Sequence, residues 1–168
     1  GAYGSGNLKI GRNGDFVTSP SLGNEFAELL AVQVSSWLTA ISSTLKSNSI
    51  LSIIDIGPGE GDLIYDLLVS LEKINPDIIS RTQLILIEKN KSMISRQKNK
   101  LISVKHVPVK WMTIDELQSN PINGVMIANE LLDAFPVDRL YYENNTLLSL
   151  YVELVESNDN YFLQFAPK

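Results

Sequence analysis

The chain has 168 residues, 44% hydrophobic and 20% charged, which is ordinary for one globular domain long enough to bury a core. A formal net charge of −5 argues against nucleic acid as a partner, because backbone phosphates require a basic surface. The absence of Cys excludes disulfides, thiolate metal sites and Cys nucleophiles; His106 stands alone, which speaks against a metal site or a Ser-His-Asp triad; and no apolar run approaches the roughly 18 residues that a membrane span needs.

Residues 3–16 are rich in Gly and Asn without a sustained period, and 1–17 read as an irregular arm. Thr18-Ser19-Pro20 then supplies a hydroxyl cap and a proline for a helix start. Phe26, Leu29, Leu30, Trp37, Leu38, Ile41 and Leu45 recur at spacings of three and four, predicting one amphipathic helix to about Leu45 with its aromatic stripe in the core.

Ile50, Leu51, Ile53, Ile54 and Ile56 form a β-branched run suited to a strand buried on both faces. It leads into Gly57-Pro58-Gly59-Glu60-Gly61, after which Leu63, Ile64, Leu67, Leu68 and Leu71 continue at helical spacing up to Pro76. Strand, glycine loop and helix make the plan of a nucleotide-type cofactor site. The glycines permit a tight turn and a close backbone approach, and the helix presents free N–H groups at its positive end.

The spacing is G-x-G-x-G, not the G-x-G-x-x-G of dinucleotide sites. Asp55, Glu60 and Asp62 place three carboxylates within eight residues, with no Lys or Arg among them. A pyrophosphate is disfavoured there. S-adenosylmethionine fits better, because it carries a sulfonium and an ammonium and only one carboxylate. The plainer alternative is a tight strand-to-helix turn with solvated acids.

Gln83 to Glu88 reads as the second buried strand, and an acid at its carboxyl end is placed to bind both ribose hydroxyls. Asn90–Leu101 reads as a polar helix with Met93, Ile94 and Leu101 inward. Val104–Val109 reads as a third strand containing His106, with Trp111 just past it, either against an adenine or packed between helix and sheet. Thr113–Leu117 suggests one helical turn. Gly124–Ala128 is a fourth strand running into Asn129-Glu130-Leu131-Leu132-Asp133-Ala134-Phe135-Pro136, polar groups where open α/β sheets place their chemistry, or else an ordinary helix cap. Val137–Tyr142, Thr146–Val155 and Tyr161–Phe165 then alternate with polar turns as an antiparallel meander. The expectation is a single α/β domain, 1–168, with a mixed sheet and an N-terminal helix.

Residues 14–20 (Gly-Asp-Phe-Val-Thr-Ser-Pro), the Phe26-Ala27-Glu28-Leu29-Leu30 helix, the Asp55–Gly61 loop, Trp111 and the Asn129–Pro136 stretch together resemble the MidA-like family, which includes mitochondrial complex I assembly methyltransferases. The resemblance implies a Rossmann-like, seven-stranded class I fold, S-adenosyl-L-methionine as cofactor, and protein arginine as methyl acceptor. Asp55 stands where the family typically carries Glu. Family members are usually much longer, so a fragment or shortened member is expected, incomplete at the C-terminus and with the cofactor half present.

On that reading Asp55 takes the methionine ammonium, and Gly57, Pro58, Gly59 and Gly61 form the wall beneath methionine and ribose. Glu88 binds the ribose hydroxyls, Trp111 borders adenine, and Asn129 and Glu130 border the methyl side. Thr18 and Ser19 close the cofactor from the front, and Glu130 or Asp133 orients a guanidinium. No metal is called for. A protein substrate is the expected partner, without nucleic acid or membrane, and an open C-terminal strand edge allows pairing with a second copy. The expected location is cytoplasmic, with room for an upstream targeting segment. Two alternatives are a non-catalytic assembly protein that keeps the fold and, against the loop's acids and spacing, a nicotinamide-dependent enzyme.

Overall fold

The computed structural model describes residues 24–119, 122–157 and 160–168, in two units that divide between Leu132 and Asp133. In the first unit the β-branched run becomes β1 (Leu51–Ile56), central in a four-stranded parallel sheet with β2 (Thr82–Ile87), β3 (Val109–Met112) and β4 (Gly124–Ile127). The order is β3-β2-β1-β4, with Leu51 opposite Thr82 and Ser52 opposite Gly124. Two successive crossovers move outward from β1 and the third returns to its other side, so the order reverses between β1 and β4. Open parallel sheets form their ligand crevice at that reversal, at the carboxyl ends of the strands.

The crossovers are α2 (Asp62–Ile74) with the short α3 (Pro76–Ile79), then α4 (Lys91–Lys100), then α5 (Ile114–Gln118). One face of the sheet, bearing Ile53, Leu84, Leu86 and Val125, packs against Ile64, Leu67, Leu68 and Leu71 of α2 and against the helix that precedes β1. The other face gathers Ile54, Ile85 and Ile87 beneath Leu117 and Ile122. Burial on both faces explains why β1 and β2 are apolar almost throughout.

That preceding helix, α1 (Glu25–Ser43), presents only part of the expected face: Leu38 is buried, and Leu30, Ile41 and, just past its end, Leu45 pack against the core. Ala27, Ala31, Val34, Ser35 and Leu38 are buried, while Phe26, Leu29 and Trp37 are exposed, so the aromatic stripe lies outside the core. Spacings of three and four fit more than one face. The small Ala27 and Ala31 allow the helix backbone close to its neighbours, and that face is the one buried. The expected start at Thr18–Pro20 lies outside the described residues.

Asn75-Pro76 ends α2 and also opens α3, where the Asn75 side chain accepts from the Ile78 N–H and donates to the Ser35 hydroxyl of α1. The third strand runs over Val109–Met112, not Val104–Val109. Val104 and Val107 are three apart, out of phase with a two-residue period, and they enter the core from an irregular segment behind the 3-10 turn Leu101–Ser103. Trp111 therefore sits within the strand. His106 is outside it, with Nε2 3.4 Å from Glu72 Oε2.

In the second unit β5 (Leu140–Glu143), β6 (Thr146–Ser157) and β7 (Asn160–Pro167) form an antiparallel sheet in chain order. Asn144 and Asn145 both adopt positive φ, as the two-residue hairpin turn requires. The mixed sheet expected from sequence is thus resolved into a parallel and an antiparallel sheet. Among the described residues no helix is long and apolar enough to cross a membrane, and no group of acids and His is placed to hold a metal ion.

Candidate functional site

Asp55 is the penultimate residue of β1 and only 3% exposed. By strand alternation it shares the face of Ile53, the one covered by α1 and α2. Among the described residues no counter-charge offsets its burial, which pushes its carboxyl up from 3.8 to about 7. A buried acid without a cation at the mouth of a crevice is a place where a cationic ligand group gains most.

Directly beyond it, Gly57, Gly59 and Gly61 all have positive φ, at 69°, 56° and 88°. The loop is closed by the Gly57 N–H donating to the Ile87 carbonyl at 3.1 Å and the Gly61 N–H donating to the Pro58 carbonyl at 2.9 Å. Gly61 is the N-cap of α2 and supplies no side chain, leaving the first-turn amides open to a carboxylate.

From β2, Glu88 arrives half-buried at the same end of the sheet. Its Oε1 accepts from the Lys89 and Asn90 N–H groups, each at 2.8 Å. These two bonds hold the carboxylate and leave Oε2 for another donor. From β4 the chain passes through Asn129 and Glu130, the latter at φ 48°, an unusual backbone for a non-glycine residue. Leu131 then lies over Gly57, its Cδ1 2.7 Å from where a Cβ would stand.

The acids of the loop are not bare, which corrects the sequence argument. Arg96 Nη1 is 2.7 Å from Glu60 Oε1, and Lys100 pairs with Asp62, both cations coming from α4. Among the described residues, Asp55 alone of the three acids has no cation paired with it. The discrimination against a pyrophosphate therefore rests on Asp55 and Glu88 more than on a uniformly acidic loop.

α4 also carries a residue that pattern reading missed. Gln97 is its one buried side chain. Its Nε2 donates to the Gly59 carbonyl at 2.7 Å, and its Oε1 accepts from the Trp111 indole Nε1 at 2.9 Å. Trp111 packs beside the core with Lys98 Nζ 5.2 Å from its ring centre. The only sequence sign of Gln97 was a polar residue one turn before Leu101 on the inward side of a polar helix.

The structure thus brings Asp55, Gly57, Pro58, Gly59, Gly61, Glu88, Asn129 and Glu130 to the carboxyl end of the parallel sheet. Trp111 is joined to them through Gln97. Thr18 and Ser19 lie outside the described residues. Asp133 is exposed on the 3-10 turn Leu132–Ala134 and belongs to the second unit.

A family profile described as putative S-adenosyl-L-methionine-dependent methyltransferase matches residues 29–167. The chain is 25% identical over 173 residues to the protein arginine methyltransferase NDUFAF7 homolog, mitochondrial, of Caenorhabditis elegans, covering 92% of this chain and 38% of that protein. To the mitochondrial NDUFAF7 of Xenopus tropicalis it is 31% identical over 154 residues, covering 78% and 34%. It therefore spans between a third and two-fifths of the length of these relatives. Their names place them in mitochondria and give the expected cytoplasmic location no support. Among solved structures, a COG1565 superfamily member from Burkholderia thailandensis bound to S-adenosyl-homocysteine superposes with a TM-score of 0.70 at 24% identity, over 100% of this chain and 42% of that one. The α/β, Rossmann-like fold with its N-terminal helix is shared with that structure.

Proposed function

We propose that this chain, which belongs to the family of putative S-adenosyl-L-methionine-dependent methyltransferases, binds that cofactor in the crevice between β1 and β4 and serves methyl transfer to a protein arginine. The observation that carries the reading is Asp55, a buried carboxyl with no counter-charge among the described residues, beside three glycines of positive φ. Both features fit the cofactor: one calls for a cation, and the other leaves space that a Cβ would fill.

When bound, the cofactor supplies a methyl group made electrophilic by a positively charged sulfur. The protein's part is to hold the reacting groups in line. Asp55 ionises and accepts the methionine ammonium, and the first amides of α2 receive the carboxylate. Glu88 offers Oε2 to a ribose hydroxyl while its other oxygen stays tied to the backbone. Glu130, beyond β4, accepts hydrogen bonds from the incoming guanidinium. Arginine as acceptor is supported by the names of the relatives, and so is a mitochondrial location over a cytoplasmic one.

Calorimetric titration with S-adenosylhomocysteine tests the cofactor step. The wild-type chain is expected to bind and Asp55→Asn to bind at least about tenfold more weakly. No heat with the wild type, together with no thermal stabilisation, would refute the reading. Labelled methyl transfer to arginine-containing peptides tests the acceptor. Binding without transfer to any peptide would favour the assembly-protein alternative.

A further inference from the structure

We propose that Gln97 is the positioning residue of this cofactor site, its side-chain amide setting the conformation of the glycine loop from the far side; the inference rests on the cofactor reading above. α4 is a polar helix, and Gln97, fully buried, is the one side chain it commits to the interior. An apolar residue there would bury at no hydrogen-bonding cost, so a buried amide is retained only where its bonds matter.

Both ends of that amide are engaged, and in only one possible sense. An indole N–H can only donate and a backbone carbonyl can only accept, so Trp111 takes Oε1 and Gly59 takes Nε2. The Gly59 carbonyl is therefore held towards α4. In a trans peptide the following N–H points the opposite way, so the Glu60 N–H is directed away from α4 across the loop. The glycines on either side, free to adopt many conformations, are thereby restricted to one. The Gln97 side chain also abuts Gly61, its Cγ 3.7 Å from where a Cβ would be. The neighbouring pairs Arg96–Glu60 and Lys100–Asp62 grip the same loop from part-exposed side chains, whereas the Gln97 side chain is itself fully buried.

The test is calorimetric titration of S-adenosylhomocysteine into the wild-type chain, Gln97→Met and Gln97→Glu, with thermal melts of each. Gln97→Met, similar in volume, is expected to melt cooperatively and bind about tenfold or more weakly. Gln97→Glu sets a carboxylate against the Gly59 carbonyl at about pH 8. At about pH 6 a protonated carboxyl can donate as the amide does, so its deficit relative to wild type should shrink on acidification. A merely structural loss would not carry that pH signature. If Gln97→Met fails to fold, the ratio of wild-type to Gln97→Glu affinity across pH decides alone. Wild-type affinity in the variants, or a ratio independent of pH, overturns the role of Gln97 and leaves the cofactor reading intact. Failure of the wild type itself to bind removes the cofactor reading instead.

Discussion

Gly57 and Leu131 meet where the strand order reverses: a Cβ on Gly57 would stand 2.7 Å from Leu131 Cδ1. The loop after β1 and the loop after β4 therefore touch at this corner, and a Cβ on Gly57 fits only if the end of the Leu131 side chain moves. Gly57→Ala faces two costs. Its φ of 69° strains any Cβ by roughly 1–2 kcal/mol, and the contact forces Leu131 to swing aside, which a flexible side-chain end does cheaply. Urea unfolding should show a loss of about 1–2 kcal/mol, and S-adenosylhomocysteine titration a clear loss of affinity. A variant equal to wild type in both would show that the corner is not part of the site.

Asp55 sets stability against binding. Its carboxyl titrates at about 7 folded and near 3.8 unfolded, so the unfolded state loses its proton first as pH rises. The stability tied to the protonated form is complete below 3.8 and is lost as pH climbs through about 7. Asp55→Asn should therefore be more stable than wild type at pH 8, on the order of 2 kcal/mol, with the gap closing towards low pH. Cofactor binding favours the ionised form, so wild-type affinity should rise through neutral pH with proton release, visible as a buffer-dependent heat. Flat affinity across that range would contradict an ammonium partner for Asp55.

The pairs between α4 and the loop predict a charge-selective effect. Arg96→Ala with Lys100→Ala exposes Glu60 and Asp62, yet part-exposed pairs are worth only about 0–1 kcal/mol each, so unfolding should change little. The site becomes more negative. Affinity for cationic S-adenosylmethionine should rise relative to neutral S-adenosylhomocysteine by a few fold at low salt, and the gain should fade at high ionic strength. An unchanged ratio would place the charges too far from the sulfur to matter.

Glu88 holds its place by accepting two backbone N–H bonds through Oε1. Glu88→Ala removes both the hydroxyl acceptor and the brace and should cost about tenfold in S-adenosylhomocysteine affinity. Glu88→Gln keeps one amide oxygen as an acceptor and should lose less. Equal affinity in all three proteins would remove Glu88 from the site.

Gly124 is a control for pure packing. Its Cβ would fall 1.8 Å from the Ser52 carbonyl oxygen, with Ser52 backbone atoms C and N at 2.7 and 2.9 Å. Backbone inside a parallel sheet cannot move aside as a side chain can. Gly124→Ala should destabilise by about 3 kcal/mol, read by urea unfolding. A loss well below that would mean that β4 shifts its register against β1.

Features encoded within a few residues of chain were legible in advance. Asp55, the glycines of the loop and the start of α2 follow from local backbone freedom and from apolar runs too consistent to belong elsewhere. The helical turn at Thr113–Leu117 and the polar turn between β5 and β6 are of the same kind, since each satisfies its own neighbouring amides or dihedrals. Where the pattern was ambiguous, as in α1 and around β3, the competing faces and registers were close in local preference, and packing or strand pairing chose between them.

What the chain order alone could not supply was the company each group keeps. Glu60 meets Arg96, Asp62 meets Lys100 and Gly59 meets Gln97 across 36 to 38 residues, so the apparent charge of the loop in sequence is not its charge in the folded protein. Backbone conformation is decided by nearest neighbours along the chain, whereas electrostatic balance and buried hydrogen bonds are decided by neighbours in space. That is why the glycine loop after β1 could be read from residues 50–71, while the pairing of Glu60 and Asp62 and the buried amide of Gln97 depend on α4 packing beside that loop.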